Sequence, residues 1–255
     1  MKIGVLCTCF DEALMLPYFL SHYTKEGWDS IHVMLDRETT DNSAEICSKF
    51  SNTMVKECGM KAGLQEEEKV AILKKEFDVM CAEDFDWLAV LDTDEFIVPP
   101  AGTVGGLAKE FLERQKECDC VVSKMFPVYR HRTDRDLDPS YTPLRQRLHG
   151  GSPRWNEIKP NVLKADPKFA LTIGMHKLGQ EMLISPVAFT GVHWADADPA
   201  ISVPRRLRQK ARFSKENLEK GWGIQHHNCT FYSIMQEAAE HLDDPLIVDL
   251  ARIAL

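Results

Sequence analysis

The stretch Trp87-Leu88-Ala89-Val90-Leu91-Asp92-Thr93-Asp94-Glu95-Phe96-Ile97-Val98 decides how this chain is read. Its first five residues are apolar without strict alternation, as in a strand covered on both faces, and Asp92, Asp94 and Glu95 follow directly. Carboxylates set beside buried Val and Leu are costly unless a cation pairs with them. An open parallel sheet binds its ligands at the carboxyl ends of its strands, so the cluster marks a candidate ligand site, and a hard divalent ion suits its oxygens.

Upstream of this stretch the pattern is regular. Lys2 to Phe10, Ser30 to Leu35 and Thr53 to Cys58 read as strands, separated by helix-sized segments at Ala13 to Glu26, at the residues up to Phe50, and at Glu66 to Ala82. Val70, Leu73, Phe77 and Met80 give the last of these an apolar stripe, and Asp41 or Asn42 can cap the second. Strands alternating with helices imply βαβ units, hence an α/β fold with a mainly parallel, Rossmann-like sheet flanked by helices. The stretch that opens the argument is then the fourth strand.

Downstream the pattern is looser. A helix is expected over Val104 to Lys116 and a strand over Asp119 to Val128, followed by a long irregular connection from Tyr129 to Trp155. Short strands are expected at Ile158 to Lys164, Lys168 to Ile173 and Met182 to Phe189, then helices near Ala200 to Lys220 and Phe231 to Leu242. The whole chain, 1–255, is expected to form one domain.

Composition narrows the function classes. The formal charge of -8 argues against a nucleic-acid partner, which requires a basic field. No apolar run approaches the roughly 20 residues that cross a bilayer, so a cytoplasmic protein is expected. There are eight cysteines and no CxxC; Cys7 and Cys9, like Cys118 and Cys120, alternate within apolar segments, as reduced core cysteines do.

A D-x-D pair alone selects nothing, because four more occur: Asp84/Asp86, Asp134/Asp136, Asp136/Asp138 and Asp196/Asp198. Only Asp92/Asp94 directly follows a buried-strand pattern. The run from Asp134 fails as an EF-hand loop, since Pro139 replaces the required Gly and Arg145 the required Glu. A haloacid-dehalogenase-type phosphatase uses such a motif after its first strand; here the strand is the fourth and Phe96 stands where Thr or Val is expected.

The segments CFDEALMLPYFLSHY, LDRETTDNS and WLAVLDTDEFI, in this order, resemble glycosyltransferases of the family 2-like type with the GT-A fold, in the branch also similar to family 92. The resemblance covers about the first 100 residues and implies a nucleotide-binding half over 1–98 and, over 99–255, the smaller acceptor-side region together with the C-terminal helices. Beyond them Lys159-Pro160, Gly174-Met175-His176 and His193-Trp194 look like further elements of the family. The resemblance implies Asp11 and Glu12 at the base and ribose of a nucleotide sugar, Asp36 at the uracil or ribose, and Asp41 supporting that turn. It implies Mn²⁺ or Mg²⁺ on Asp92 and Asp94, with Asp92 nearer the ribose, His193 as a third ligand or phosphate contact, and His176 near the donor. The expected reaction moves a sugar from a nucleoside diphosphate, UDP by expectation, to a glycan or lipid-linked acceptor in cell-surface polysaccharide synthesis. Glu95, Asp134 and Glu157 are the candidates for a catalytic base.

Arg205, Arg206, Arg208, Lys210, Arg212 and Lys215 form the one basic patch of an acidic chain. It reads as a solvated face, as an attractor of the donor diphosphate, or as a peripheral membrane contact through 205–215. Lys61 and Lys69 are candidate phosphate contacts, and His226-His227 a surface or packing pair. Two rivals are a sugar nucleotidyltransferase, which would carry a glycine-rich basic loop where CFDEALMLP stands, and a glycan-binding domain without turnover.

Overall fold

The computed structural model describes residues 1–59, 65–101, 107–153, 157–177, 179–221, 228–248 and 250. Lys61, His226 and His227 lie outside them, as do residues 104–106 of the helix expected from Val104 and residues 249 and 251–255.

The first half follows the expected alternation: β1 (Ile3–Cys9), α1 (Leu16–Lys25), β2 (Ser30–Asp36), α2 (Ser43–Ser48), β3 (Thr53–Cys58), α3 (Glu66–Ala82) and β4 (Trp87–Val90). These strands lie in the order β3-β2-β1-β4, and every pairing among them is parallel. Side chains alternate across β1 and β4. Ile3, Val5, Cys7, Trp87 and Ala89 face one core with Phe19, Leu20 and Tyr23 of α1. Leu6, Leu88 and Val90 face another with Leu73, Phe77 and Met80 of α3. Helices on both faces bury both sides of the sheet, which is why its strands lack polar alternation.

The second half adds β5 (Glu95–Val98), α4 (Ala108–Glu113), β6 (Cys120–Tyr129), β7 (His149–Gly150), β8 (Ile158–Lys164), β9 (Phe189–His193), α5 (Pro199–Arg212), α6 (Lys215–Glu219) and, as α7, Phe231–Glu240. The sheet continues β4-β8-β6-β9-β5, with β8 antiparallel to both β4 and β6 and β5 antiparallel to β9. The deciding stretch is therefore two strands. β4 ends at Val90, the chain turns through Asp92-Thr93-Asp94, and β5 lies at the far end of the same sheet. The free edge of β5 is covered by α1: the Tyr23 hydroxyl donates to Glu95 O at 2.8 Å and accepts from Ile97 N at 3.2 Å, while His22 Nε2 lies 3.0 Å from Ile97 O.

Several expectations need correction. Lys168 to Ile173 is not a strand: Phe169 and Leu171 alternate into the core and imitate one, but the segment is irregular chain ending in a single 3-10 turn, Ile173–Met175. The strand expected over Met182 to Phe189 begins where that range ends, because Pro186 lacks the N–H a ladder needs; only Ile184 makes an isolated bridge, to Cys120. The helix expected over Ala200 to Lys220 breaks at Phe213, and Ser214 caps its second part by accepting from Asn217 N at 3.1 Å. All eight cysteines are free. Among the described residues no helix is long and apolar enough to cross a membrane.

Candidate functional site

The order of the parallel strands reverses between β1 and β4, and at such a switch point the loops leaving the two strands diverge and open a crevice. A cavity of about 520 Å³ lies there. Cys9, Phe10 and Glu12 come from the end of β1, Asp36 from the end of β2, and Asp92, Thr93 and Asp94 from the turn after β4. Lys69 of α3, Lys159 of β8 and His193 of β9 enter from the sides, with Glu157 and His176. Helix α5 contributes Arg205, Arg206, Gln209 and Arg212.

Glu12, Asp36, Asp92, Asp94 and Glu95 each meet a protein cation. Lys69 Nζ donates to Asp92 Oδ1 at 2.7 Å, and Lys159 pairs with Glu95, whose second oxygen accepts from Asp92 N at 3.1 Å. Arg212 donates to Asp36 Oδ2 at 2.7 Å while its guanidinium lies 3.3 Å above the Phe10 ring. Arg205 is the most engaged: Nε donates to Glu12 Oε1 at 2.8 Å and Oε2 at 3.0 Å, and Nη1 pairs with Asp94 Oδ2. The same Asp94 oxygen lies 3.4 Å from His193 Nε2.

These pairings set the charges. Burial alone would raise the Asp92 carboxyl, but the Lys69 and Lys159 charges prevail and hold it down to about 2. Burial likewise opposes ionisation of Asp94, and Arg205 and His193 overcome it, keeping the group well below the usual carboxylate range. The Asp94 carboxylate in turn raises His193 against its burial. Both aspartates are anions across the physiological range.

Asp94 Oδ1 is buried and has no hydrogen-bond partner. A buried acceptor left without a donor costs about 1–3 kcal/mol, so an oxygen kept in this state points to a cationic or donor ligand. Two carboxylates and an imidazole, from Asp92, Asp94 and His193, are donors that suit Mn²⁺ or Mg²⁺. As they stand, however, no three His, Cys, Asp or Glu side chains among the described residues are grouped as a metal site; a guanidinium lies against Asp94.

Of the residues singled out from sequence, Glu12, Asp36, Asp92, Asp94, Glu157, His176 and His193 line the cavity. Asp11, Asp41, Glu95 and Asp134 do not. Asp11, at a positive φ of 48°, accepts from Thr40 N at 2.7 Å and Asp41 N at 3.2 Å. Asp41 accepts from Ala13 N and Ser43 N, both at 2.9 Å, so these two aspartates lock the exits of β1 and β2 to each other. Glu95 is buried in its pair with Lys159 and supports the Asp92 backbone. Asp134 belongs to a separate group: it accepts from His131 N at 2.9 Å and lies 3.8 Å from Arg147 Nε. The basic stretch 205–215 turns Arg205 and Arg212 into the cavity, and Arg208 donates to Asp11 O at 2.7 Å. Sequence gave no sign of the pairing between Arg205 and Asp94, which lie 111 positions apart, or of that between Lys159 and Glu95, 64 apart.

No protein-family model matches the chain, and no curated protein does. Among solved structures, S. aureus TarS is similar over 95% of this chain and 43% of its own, at 13% identity and a TM-score of 0.45. The structure of TarS 1-349 is similar over 95% of this chain and 71% of its own, at 11% identity and a TM-score of 0.44. HddC from Yersinia pseudotuberculosis is similar over 77% of this chain and 95% of its own, at 12% identity and a TM-score of 0.42. The present chain thus spans less than half the length of the TarS structure. Likenesses of this size carry no argument about activity, which rests on the residues of the site.

Proposed function

We propose that the cavity is the donor site of a glycosyltransferase of the GT-A type, taking a sugar from a nucleoside diphosphate, UDP by preference, and delivering it to a glycan or lipid-linked acceptor in cell-surface polysaccharide synthesis. The observation that carries this reading is the convergence of Glu12, Asp36, Asp92 and Asp94 with Lys69, Lys159, Arg205 and Arg212 in one cavity of about 520 Å³ at the switch point of the sheet. A nucleotide sugar presents hydroxyls and base N–H groups, which carboxylates recognise, and a diphosphate, which cations recognise.

The division of labour follows from position. Asp36 and the Arg212–Phe10 pair lie at the β2 side and suit the base and ribose. Lys69, Lys159 and Arg205 lie beside Asp92 and Asp94, where the diphosphate would be held. Asp92, Asp94 and His193 would hold a divalent ion there, which when bound supplies Lewis-acid neutralisation of the leaving diphosphate. Glu157 alone of the three candidate bases lines the cavity, which supports it as the group that takes the acceptor hydroxyl's proton. Turning Arg205 and Arg212 inward favours a phosphate-attracting role of the 205–215 stretch over a membrane contact. A cytoplasmic location is part of the proposal.

The rival nucleotidyltransferase reading lacks support, since Phe10-Asp11-Glu12 leaves β1 with two acids and no glycine. Isothermal titration of UDP with and without Mn²⁺ tests the proposal, and absence of binding by the wild-type protein refutes it. Donor hydrolysis by wild type and not by Asp94→Ala would separate turnover from mere glycan binding.

A further inference from the structure

Arg205 makes a choice of partners that the donor-site reading does not require. Its side chain is buried, leaves α5 in the second turn, and has all three guanidinium nitrogens within reach of the strand-end loops: Nε on both Glu12 oxygens, Nη1 on Asp94 Oδ2, and Nη2 at 3.5 Å from Thr93 Oγ1. The helix is itself fixed. Asp198 caps it by accepting from Ala200 N at 3.0 Å, and Arg147 and Arg130 hold the other Asp198 oxygen at 2.7 and 3.1 Å. A guanidinium cannot lose its proton, so Arg205 stays charged throughout. Asp94 is nevertheless only half satisfied, with one oxygen on Arg205 and the other buried and without a partner.

We propose that Arg205 is the resident counter-ion of Asp94 and that a divalent cation entering at the unpartnered Oδ1 displaces it from that carboxylate. The two cations would need the same carboxylate, and like charges within a few ångströms in a partly buried site repel strongly. Glu12 makes the exchange feasible: its two-oxygen grip on Nε keeps the arginine paired when Nη1 lets go of Asp94. Arg205 would then present its freed N–H groups to the cavity, and, resting on the donor-site reading for this clause alone, to the diphosphate. Neighbouring Arg206 is the internal contrast. It also lines the cavity, but its guanidinium is committed to Asp196 and to Glu237 at 2.7 Å, and not to Asp94.

The test uses Mn²⁺ alone, titrated into the full chain and followed by the paramagnetic resonance signal of free Mn²⁺. Arg205→Gln is expected to bind Mn²⁺ at least tenfold more tightly than wild type, and Arg206→Gln within threefold of it. Arg205→Lys, which keeps the charge but cannot span Glu12 and Asp94 together, is expected between the two, and it decides the matter if the Gln variant fails to fold. Equal or weaker Mn²⁺ binding by the Arg205 variants overturns the proposal. An equal gain in Arg206→Gln overturns it too, because the effect would then be the general field of the basic helix. UDP binding by the wild-type protein judges the donor-site reading separately, so either conclusion can fail without the other.

Discussion

Replacing Lys159 by Met should be the most damaging single change to the acidic turn. The side chain is almost fully enclosed, and its partner Glu95 is 2% exposed, so the substitution leaves a buried carboxylate without its counter-charge. Removing one member of a buried ion pair typically costs about 3–5 kcal/mol. Glu95 also accepts the Asp92 N–H at 3.1 Å, so its distress is passed directly to the turn that carries Asp92 and Asp94. At 2–4 °C per kcal/mol for a chain of this size, the melting temperature should fall by roughly 6–20 °C. The double variant Lys159→Met/Glu95→Leu removes the unpaired buried charge and gives up the Asp92 N–H bond, worth about 1 kcal/mol, and the Lys159 charge near Asp92. Urea denaturation of the four members of the cycle should therefore give a coupling energy of about 2 kcal/mol or more between the two positions. A single variant that loses under 1 kcal/mol, or a double variant as unstable as the single, would refute the view that Glu95 is a structural support of the turn.

Other expectations are equally specific. Burial lowers His22 to about 4 from 6.5, so between these values the unfolded chain binds more protons; its contribution is present above pH 6.5 and lost as pH falls toward 4, by up to about 3 kcal/mol. Urea stability of His22→Gln measured against wild type at both ends of that window should show a correspondingly flatter pH dependence, and identical slopes would contradict it. Gly191→Ala would set a Cβ 2.5 Å from Met125 Sδ and 3.1 Å from the Phe96 carbonyl, where β9 lies between β5 and β6; a loss of about 1–3 kcal/mol in urea unfolding is expected. Glu157→Gln should lower transferase turnover by about 10²–10⁴-fold while leaving UDP affinity near wild type, and unchanged turnover would remove it as the base.

The parallel half of the molecule was legible because helix and strand periods alternate without interruption from Lys2 to Val90, and β1, β2 and β4 each end at or within two residues of an aspartate. The bend at Asp92-Thr93-Asp94 was not legible from the spacing, since residues i and i+2 lie on one face of a strand and two aspartates so placed can share a ligand with or without a turn. Nor was the separate fate of Glu95 to Val98, because the partner that draws these residues to the far end of the sheet, β9, lies about a hundred positions later. Lys168 to Ile173 misled because inward alternation of Phe169 and Leu171 is a property of any chain laid on a core, with or without a ladder. Four of the candidate residues proved to be braces instead of cavity groups for a related reason: acidic side chains at strand exits serve either backbone N–H groups or ligands, and only the fold decides which.

The turn between β4 and β5 connects a central strand to an edge strand of the same sheet, and it is tied at both ends. Leu91 N donates to Leu6 O at 3.0 Å on one side, and Trp194 N donates to Asp94 O at 2.8 Å on the other. Asp92 and Asp94 therefore sit on a short span anchored at both banks. Such a span has little freedom left to surrender when a ligand arrives, so the conformational entropy of arranging these carboxylates is spent during folding, before any ligand is met.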